Sequence, residues 1–199
     1  MKMIAVTQRV VIDAKAKERR DALDQSWWRF LELCGLLPFI IPNHLPTAKT
    51  LVQRHALCGV LLTGGDHLAA YGGDTPERDE VEAFLISRAK ATALPLLGVC
   101  RGMQMILHDA GVQLEPVQGH IAAQQIVEID GVPQTVNSYH TLGANHTTAD
   151  LCVWARSEDG VVKAVHSNDR LLTGIMWHPE RISPFRTQDL QLFRSHFTR

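Results

Sequence analysis

The 199-residue chain is 45% hydrophobic and 21% charged, a balance that can fill a core and excludes a disordered polymer. Its 20 basic and 21 acidic side chains leave a formal net charge of -1, without the basic excess of a nucleic-acid or membrane-surface protein. Charges begin a few residues after the start, which leaves no signal-peptide core, and no run approaches the roughly 18 apolar residues of a membrane span. A cytoplasmic protein that contacts neither membrane nor nucleic acid is expected.

Met3–Val6 reads as a strand and Glu18–Cys34 as an amphipathic helix stopped by Gly35. Phe39–Ile41 is predicted as a short strand, Thr47–His55 as a helix, and Gly59–Leu62 as a strand ending at Thr63-Gly64-Gly65-Asp66. The segment Glu77–Ala91 is a predicted helix whose acidic first turn suits the helix dipole. Leu94–Val99 follows as a strand and Gly102–Asp109 as a helix closed by Gly111. Such alternation implies a parallel sheet covered by helices. Beyond Gly111 come short β-rich pieces, Gln124–Ile129, Thr135–Val136, Cys152–Ala155, Val161–His166 and Leu172–Trp177, and then a helix over Thr187–Phe197. These predict antiparallel additions to the sheet and a single domain spanning residues 1–199.

The four cysteines form no C-x-x-C pair, so metal and redox motifs are not indicated. Cys34, Cys58 and Cys152 sit among apolar residues and read as core thiols. Cys100 differs, because the strand Pro95–Val99 delivers it onto the start of a helix with Gly98 and Gly102 two residues away on either side. That spacing suits a nucleophile elbow, where strand and helix approach so closely that side chains do not fit. A helix N-terminus would favour the thiolate, and the Arg101 amide has no helical partner and is available to an oxyanion. Taken alone, the G-x-C-x-G pattern fits an ordinary β-α turn with a buried cysteine equally well.

The run Gly98-Val99-Cys100-Arg101-Gly102-Met103-Gln104 resembles the nucleophile signature of class I glutamine amidotransferases, and Trp177-His178-Pro179-Glu180 resembles their triad signature. Thr63–Asp66, Asn137-Ser138-Tyr139-His140 and the stretch from Leu23-Asp24 to Ile41-Pro42 are most similar to the γ-glutamyl amide hydrolase branch, the relatives of γ-glutamyl-γ-aminobutyrate hydrolase. The resemblance implies a flavodoxin-like three-layer α/β sandwich, mostly parallel, with an antiparallel extension in the C-terminal half. It also implies a Cys100–His178–Glu180 triad, in which His178 moves the proton and Glu180 orients it. By the same resemblance the Gly65 and Arg101 amides form the oxyanion hole, while Gln104, Ser138 and Tyr139 hold the glutamyl group. Leu142 and Met176 depart from glutamines common in the family, which bears on the leaving group rather than the chemistry. His140, His146 and His166 lack metal-ligand spacing, and neither metal nor cofactor is expected.

Arg9, Lys15, Lys17, Arg19 and Arg20 concentrate basic charge ahead of the first predicted helix. They read either as a solvated helix start or, through Arg9, Arg19 and Arg20, as a site for an anionic leaving group. Trp27 and Trp28 read as a buried and a half-buried helix aromatic rather than a stacking platform. The expected activity is hydrolysis of a small-molecule γ-glutamyl amide through a γ-glutamyl thioester, releasing glutamate and an amine or amidate. Thr7–Val11 and Arg20–Leu23 are similar to the branch that acts on γ-glutamyl-CDP-amidate in capsule phosphoramidate synthesis. The alternatives are a glutaminase subunit serving a separate synthetase, and a γ-glutamyl-γ-aminobutyrate hydrolase. Either a synthetase partner or a homo-oligomer is compatible with the sequence.

Overall fold

Short strands with two buried faces alternate with helices, as the apolar runs require. The computed structural model describes residues 1–198. In chain order its elements are β1 (Lys2–Val6), β2 (Arg9–Asp13), β3 (Glu18–Ala22), α1 (Ser26–Leu33), β4 (Leu36–Ile40), α2 (Leu45–Arg54) and β5 (Val60–Leu62). Then follow α3 (Pro76–Thr92), β6 (Leu96–Val99), α4 (Arg101–Asp109), β7 (Glu115–Pro116), β8 (Ile121–Ile129) and β9 (Val132–Tyr139). The last elements are β10 (Leu142–Gly143), β11 (Leu151–Ser157), β12 (Val162–Ser167), β13 (Leu172–Ile175) and α5 (Thr187–Phe197).

Nine strands form one sheet in the order β4-β1-β5-β6-β13-β12-β11-β8-β9. Pairing is parallel from β4 through β13 and antiparallel from β13 to β9. Side chains alternate between the two faces as the strand period dictates. Ile4, Val6, Leu61, Leu97 and Val99 pack with Trp27, Phe30 and Leu31 of α1 and with Phe193 and Phe197 of α5. Ala5, Val60, Leu62 and Leu96 pack with α2, α3 and α4 on the other face. The result is the predicted three-layer arrangement with its antiparallel extension.

The main difference from expectation lies between residues 9 and 22. Glu18–Ala22 is not the start of a helix; it pairs antiparallel with Arg9–Asp13 in a separate hairpin. The Asp13 carboxylate accepts the amides of Lys15 and Ala16 and closes the turn, with Lys17 left-handed at φ 57°. That local competition with helix is what Asp side chains supply. Helix α1 begins only at Ser26, whose amide donates to Asp24 Oδ1 at 2.9 Å. Gly35, at φ 74°, ends it as predicted. Cys152 is exposed, a correction to its reading as a core thiol; Cys34 is buried and Cys58 intermediate. Trp27 is buried, whereas Trp28 is exposed. Among the described residues no helix is long and apolar enough to cross a membrane.

Candidate active site

Three adjacent parallel strands, β5, β6 and β13, end at one edge of the sheet, where α/β proteins carry their sites. Their carboxyl ends lead into Thr63–Asp66, into Cys100, and into Trp177–Glu180. Three segments distant in sequence therefore meet because their strands are neighbours.

Cys100 occupies a strained backbone position, φ 51° and ψ -103°, between β6 and α4. Its amide is held by Ile175 O at 2.7 Å, which ties the turn to β13. The two flanking glycines are required by space. A Cβ on Gly98 would lie 2.5 Å from Gly102 C and O, and one on Gly102 would lie 2.3 Å from Leu62 O. This close approach distinguishes a nucleophile elbow from a routine turn. The Cys100 Sγ lies 4.0 Å from Tyr139 O.

His178 Nδ1 and Glu180 Oε1 are 2.7 Å apart, both side chains buried, with the short 3-10 turn Pro179–Arg181 presenting them together. Asn137 grips the His178 backbone twice: its Nδ2 donates to His178 O at 2.8 Å and its Oδ1 accepts the His178 amide at 2.7 Å. Burial alone would lower the His178 pKa. The hydrogen bond and charge of Cys100, and then those of Glu180, outweigh burial and raise it to about 9. An imidazolium stabilised between a sulfur and a carboxylate can release a proton to a leaving nitrogen. Gly64 lies against this ring, since a Cβ there would stand 2.5 Å from His178 Cε1.

A cavity of about 290 Å³ opens over Cys100 and His178. Its lining includes Gln104, Tyr139, His140 and Thr141 together with Gly65, Asp66, His67, Arg9 and Arg181. Gln104 Nε2 donates to Leu142 O at 2.9 Å, which fixes its side chain along the wall. Ser138 does not line this cavity; its hydroxyl is buried, donates to His120 O and accepts from Lys163 Nζ at 3.1 Å. Lys163 Nζ also donates to His120 Nδ1 and His140 Nε2, each at 2.7 Å, behind the wall that Tyr139 and His140 form. Burial, and next the Lys163 charge, lowers the His140 pKa to about 3 and keeps the ring neutral.

The basic segment divides. Arg9 lies at the cavity, against Gly65, and 3.6 Å from Asp66 Oδ1. Arg19 instead pairs with Glu77 and donates to Asp74 O at 2.8 Å, and Arg20 pairs with Glu18 and Asp13 along the exposed hairpin. Neither lines the cavity. Sequence reading missed Arg181, which directly follows the triad glutamate and stacks 5.6 Å over the Tyr139 ring. It also missed the buried Arg78, Glu82 and Lys163, whose charge suggests a surface until the fold turns them inward.

The Peptidase C26 family model matches residues 2–126 and 115–180. The chain belongs to that family. It is 28% identical over 183 residues to the gamma-glutamyl-CDP-amidate hydrolase of Campylobacter jejuni, covering 89% of this chain and 90% of the relative. It is 30% identical over 198 residues to a gamma-glutamyl-gamma-aminobutyrate hydrolase of Escherichia coli, with 79% and 78% covered. Among solved structures, the glutaminase domain of Trypanosoma brucei CTPS with bound acivicin superposes at a TM-score of 0.74 and 15% identity, over 99% of this chain and 94% of that one. This last likeness concerns the fold alone.

Proposed function

We propose that the chain hydrolyses γ-glutamyl amides whose leaving group carries phosphate, as the name of its C. jejuni relative, a gamma-glutamyl-CDP-amidate hydrolase, suggests. The triad chemistry follows from the elbow. The Cys100 thiolate adds to the γ-carbonyl carbon, and the new oxyanion is held by the amides of Gly65 and Arg101. His178 gives its proton to the leaving nitrogen as the C–N bond breaks, which leaves a γ-glutamyl thioester on Cys100. A water deprotonated by His178 then attacks that carbon, the C–S bond breaks, and glutamate departs. Glu180 holds the imidazole throughout. Gln104 and the Tyr139–Thr141 backbone receive the glutamyl end.

The leaving-group assignment rests on one observation: Arg9 and Arg181 border both the main cavity and an adjoining one lined by Leu23, Asp24 and Trp27. An amine expelled from Cys100 in that direction passes between two guanidinium groups, whose planar forks suit phosphate oxygens. The kcat/KM of the purified chain for a γ-glutamyl phosphoramidate, γ-glutamyl-aminobutyrate and glutamine tests this. Arg9→Ala and Arg181→Ala are expected to raise KM for the phosphoramidate by about tenfold more than they raise KM for glutamine, the order of one charge-assisted hydrogen bond. Arg19→Ala is expected to change neither. Equal kcat/KM for the phosphoramidate and the aminobutyrate compound would remove the preference for a phosphate-bearing leaving group. A chain inactive on all three until a synthetase is added would favour the glutaminase-subunit reading.

A further inference from the structure

Helix α3 carries a fully buried arginine beneath the Thr63–Asp66 loop. Arg78 donates through one terminal nitrogen to Gly64 O at 3.2 Å, Gly65 O at 3.1 Å and Asp66 Oδ2 at 3.0 Å. Through the other it donates to Thr63 O at 2.7 Å and again to Gly64 O at 3.2 Å. Three successive carbonyls of one loop thus point at a single guanidinium. Its Nε donates to Glu82 Oε1 at 2.9 Å. The other Glu82 oxygen pairs with Arg101, itself buried and also paired with Asp79.

We propose that Arg78, held by Glu82, is a positioning residue that fixes the direction of the Gly65 amide and so presets the oxyanion hole. In a trans peptide the C=O of one residue and the N–H of the next point in opposite directions. With Gly64 O turned toward the buried guanidinium, the Gly65 N–H turns away from it, and Gly65 lines the cavity beside Cys100. Thr63 and Asp66 anchor the two ends of the loop through Thr7 and Val10. Gly65, at φ 92°, has no side chain of its own, so the carbonyl bonds to Arg78 are what fix the glycine peptide planes between them. Glu82 extends the control to the second donor residue, because its carboxylate joins Arg78 to Arg101 across α3 and α4. Burial pushes Glu82 up, but the charges of Arg101 and Arg78 hold its pKa below the ordinary range, and it stays ionised between them. Removing a buried ion pair in favour of apolar packing is often neutral or stabilising, so stability alone does not explain the group.

The proposal rests on the hydrolase reading above, and the experiment separates the two. Arg78→Lys keeps the charge near Glu82 but lacks the fork that reaches three carbonyls. With γ-glutamyl-p-nitroanilide as probe, its kcat is expected to fall by about 10²–10³, the size of one lost oxyanion donor, while KM changes by less than about threefold. The rate of Cys100 alkylation by iodoacetamide should stay within about threefold, because displacement of iodide places no charge on a carbonyl oxygen. Glu82→Gln, which keeps its shape if Arg78→Lys does not fold, should show the same split with a kcat loss of about tenfold. A folded variant that keeps wild-type kcat, or loses alkylation in proportion to kcat, overturns the clamp. A wild type that cleaves no γ-glutamyl amide removes the hydrolase reading and the clamp together; an active wild type with unaffected variants removes the clamp alone.

Discussion

Substituting Gly98 by alanine tests the elbow without touching a reacting group. The new Cβ would stand 2.5 Å from the backbone C and O of Gly102 and 2.7 Å from Met103 N. Restoring an ordinary contact of about 3.5 Å requires α4 to retreat from β6 by about 1 Å. Overpacking of that kind costs about 1–3 kcal/mol, which for a chain of this size lowers Tm by about 2–12 °C. The retreat also carries Cys100 away from His178, and a misplacement of about 1 Å costs on the order of 10² in rate. Gly111→Ala is the matched control. Nothing lies within 4 Å of its added Cβ, but φ is 78°, so the substitution strains only the backbone, by about 1–2 kcal/mol. Thermal unfolding and kcat/KM on a γ-glutamyl amide should then dissociate. Both variants lose Tm, and only Gly98→Ala loses about 10² in kcat/KM. Full activity in Gly98→Ala, or an equal activity loss in Gly111→Ala, would refute the argument that close strand–helix approach sets the nucleophile.

Iodoacetamide near neutral pH should label Cys100 before exposed Cys152, although Cys100 is almost fully buried; peptide mapping that finds Cys152 labelled first would contradict Cys100 as the nucleophile. Cys34, whose pKa burial pushes up to about 12, should react last. Lys163 gives a linkage prediction, because burial lowers its pKa from 10.5 to about 7 against the raising pull of Asp159 and Cys100. Between those values the unfolded chain binds more protons than the folded one, so folding stability gains with rising pH, by up to about 1.4 kcal/mol per unit. Below about 7 the whole penalty is present. Urea unfolding of wild type and Lys163→Met should show a stability difference moving in favour of the wild type from about pH 7 to pH 9; a flat difference would mean that Lys163 keeps an ordinary pKa.

The candidate triad residues stand out in the sequence because each half of the set is a short local pattern. Gly98, Cys100 and Gly102 lie within five residues, and His178 and Glu180 are separated by one proline. The parallel half of the fold was legible for a similar reason, since its strands are short apolar runs between helices. The β2–β3 hairpin was not, because the charged run Glu18–Ala22 merges in sequence with the helix that follows it, and its pairing depends on the Asp13 turn. Tertiary bonds then hold it: Val10 N donates to Asp66 Oδ2, and Asn43 donates twice to Asp21. The length of β8 and β9 was underestimated, although Asp130-Gly131, with both φ positive, is the two-residue turn signal between them. The acidic run of α3 was read as a complement to the helix dipole. In the fold, Asp79 accepts the Ala69 amide and pairs with Arg101, while Arg78 and Glu82 lie on the inner face, where the hydrophobic pattern would have demanded apolar residues.

Buried charge is concentrated beneath two parts of the cavity lining. One part, Gly65 and Asp66, belongs to the loop over Arg78 and Glu82; another, Tyr139–Thr141, belongs to the segment over Lys163 and His120. Hydrophobic packing is non-directional and cannot set the rotation of a peptide plane. Glycines at 64 and 65 themselves offer no side chain through which packing could set their peptide planes. A guanidinium reaching three carbonyls does set the plane, and so does an ammonium shared by two imidazoles and a hydroxyl. Desolvating such groups costs several kcal/mol per ion, and the depressed pKa of Lys163 is the visible sign of that cost. Replacing Arg78 alone by an apolar residue would strip three loop carbonyls of their donor and Glu82 of one of its two arginines, and is expected to cost stability as well as to loosen the amides above. Activity and stability are expected to part company instead at Arg78→Lys, which keeps the charge beside Glu82 and leaves Cys100, His178 and Glu180 untouched.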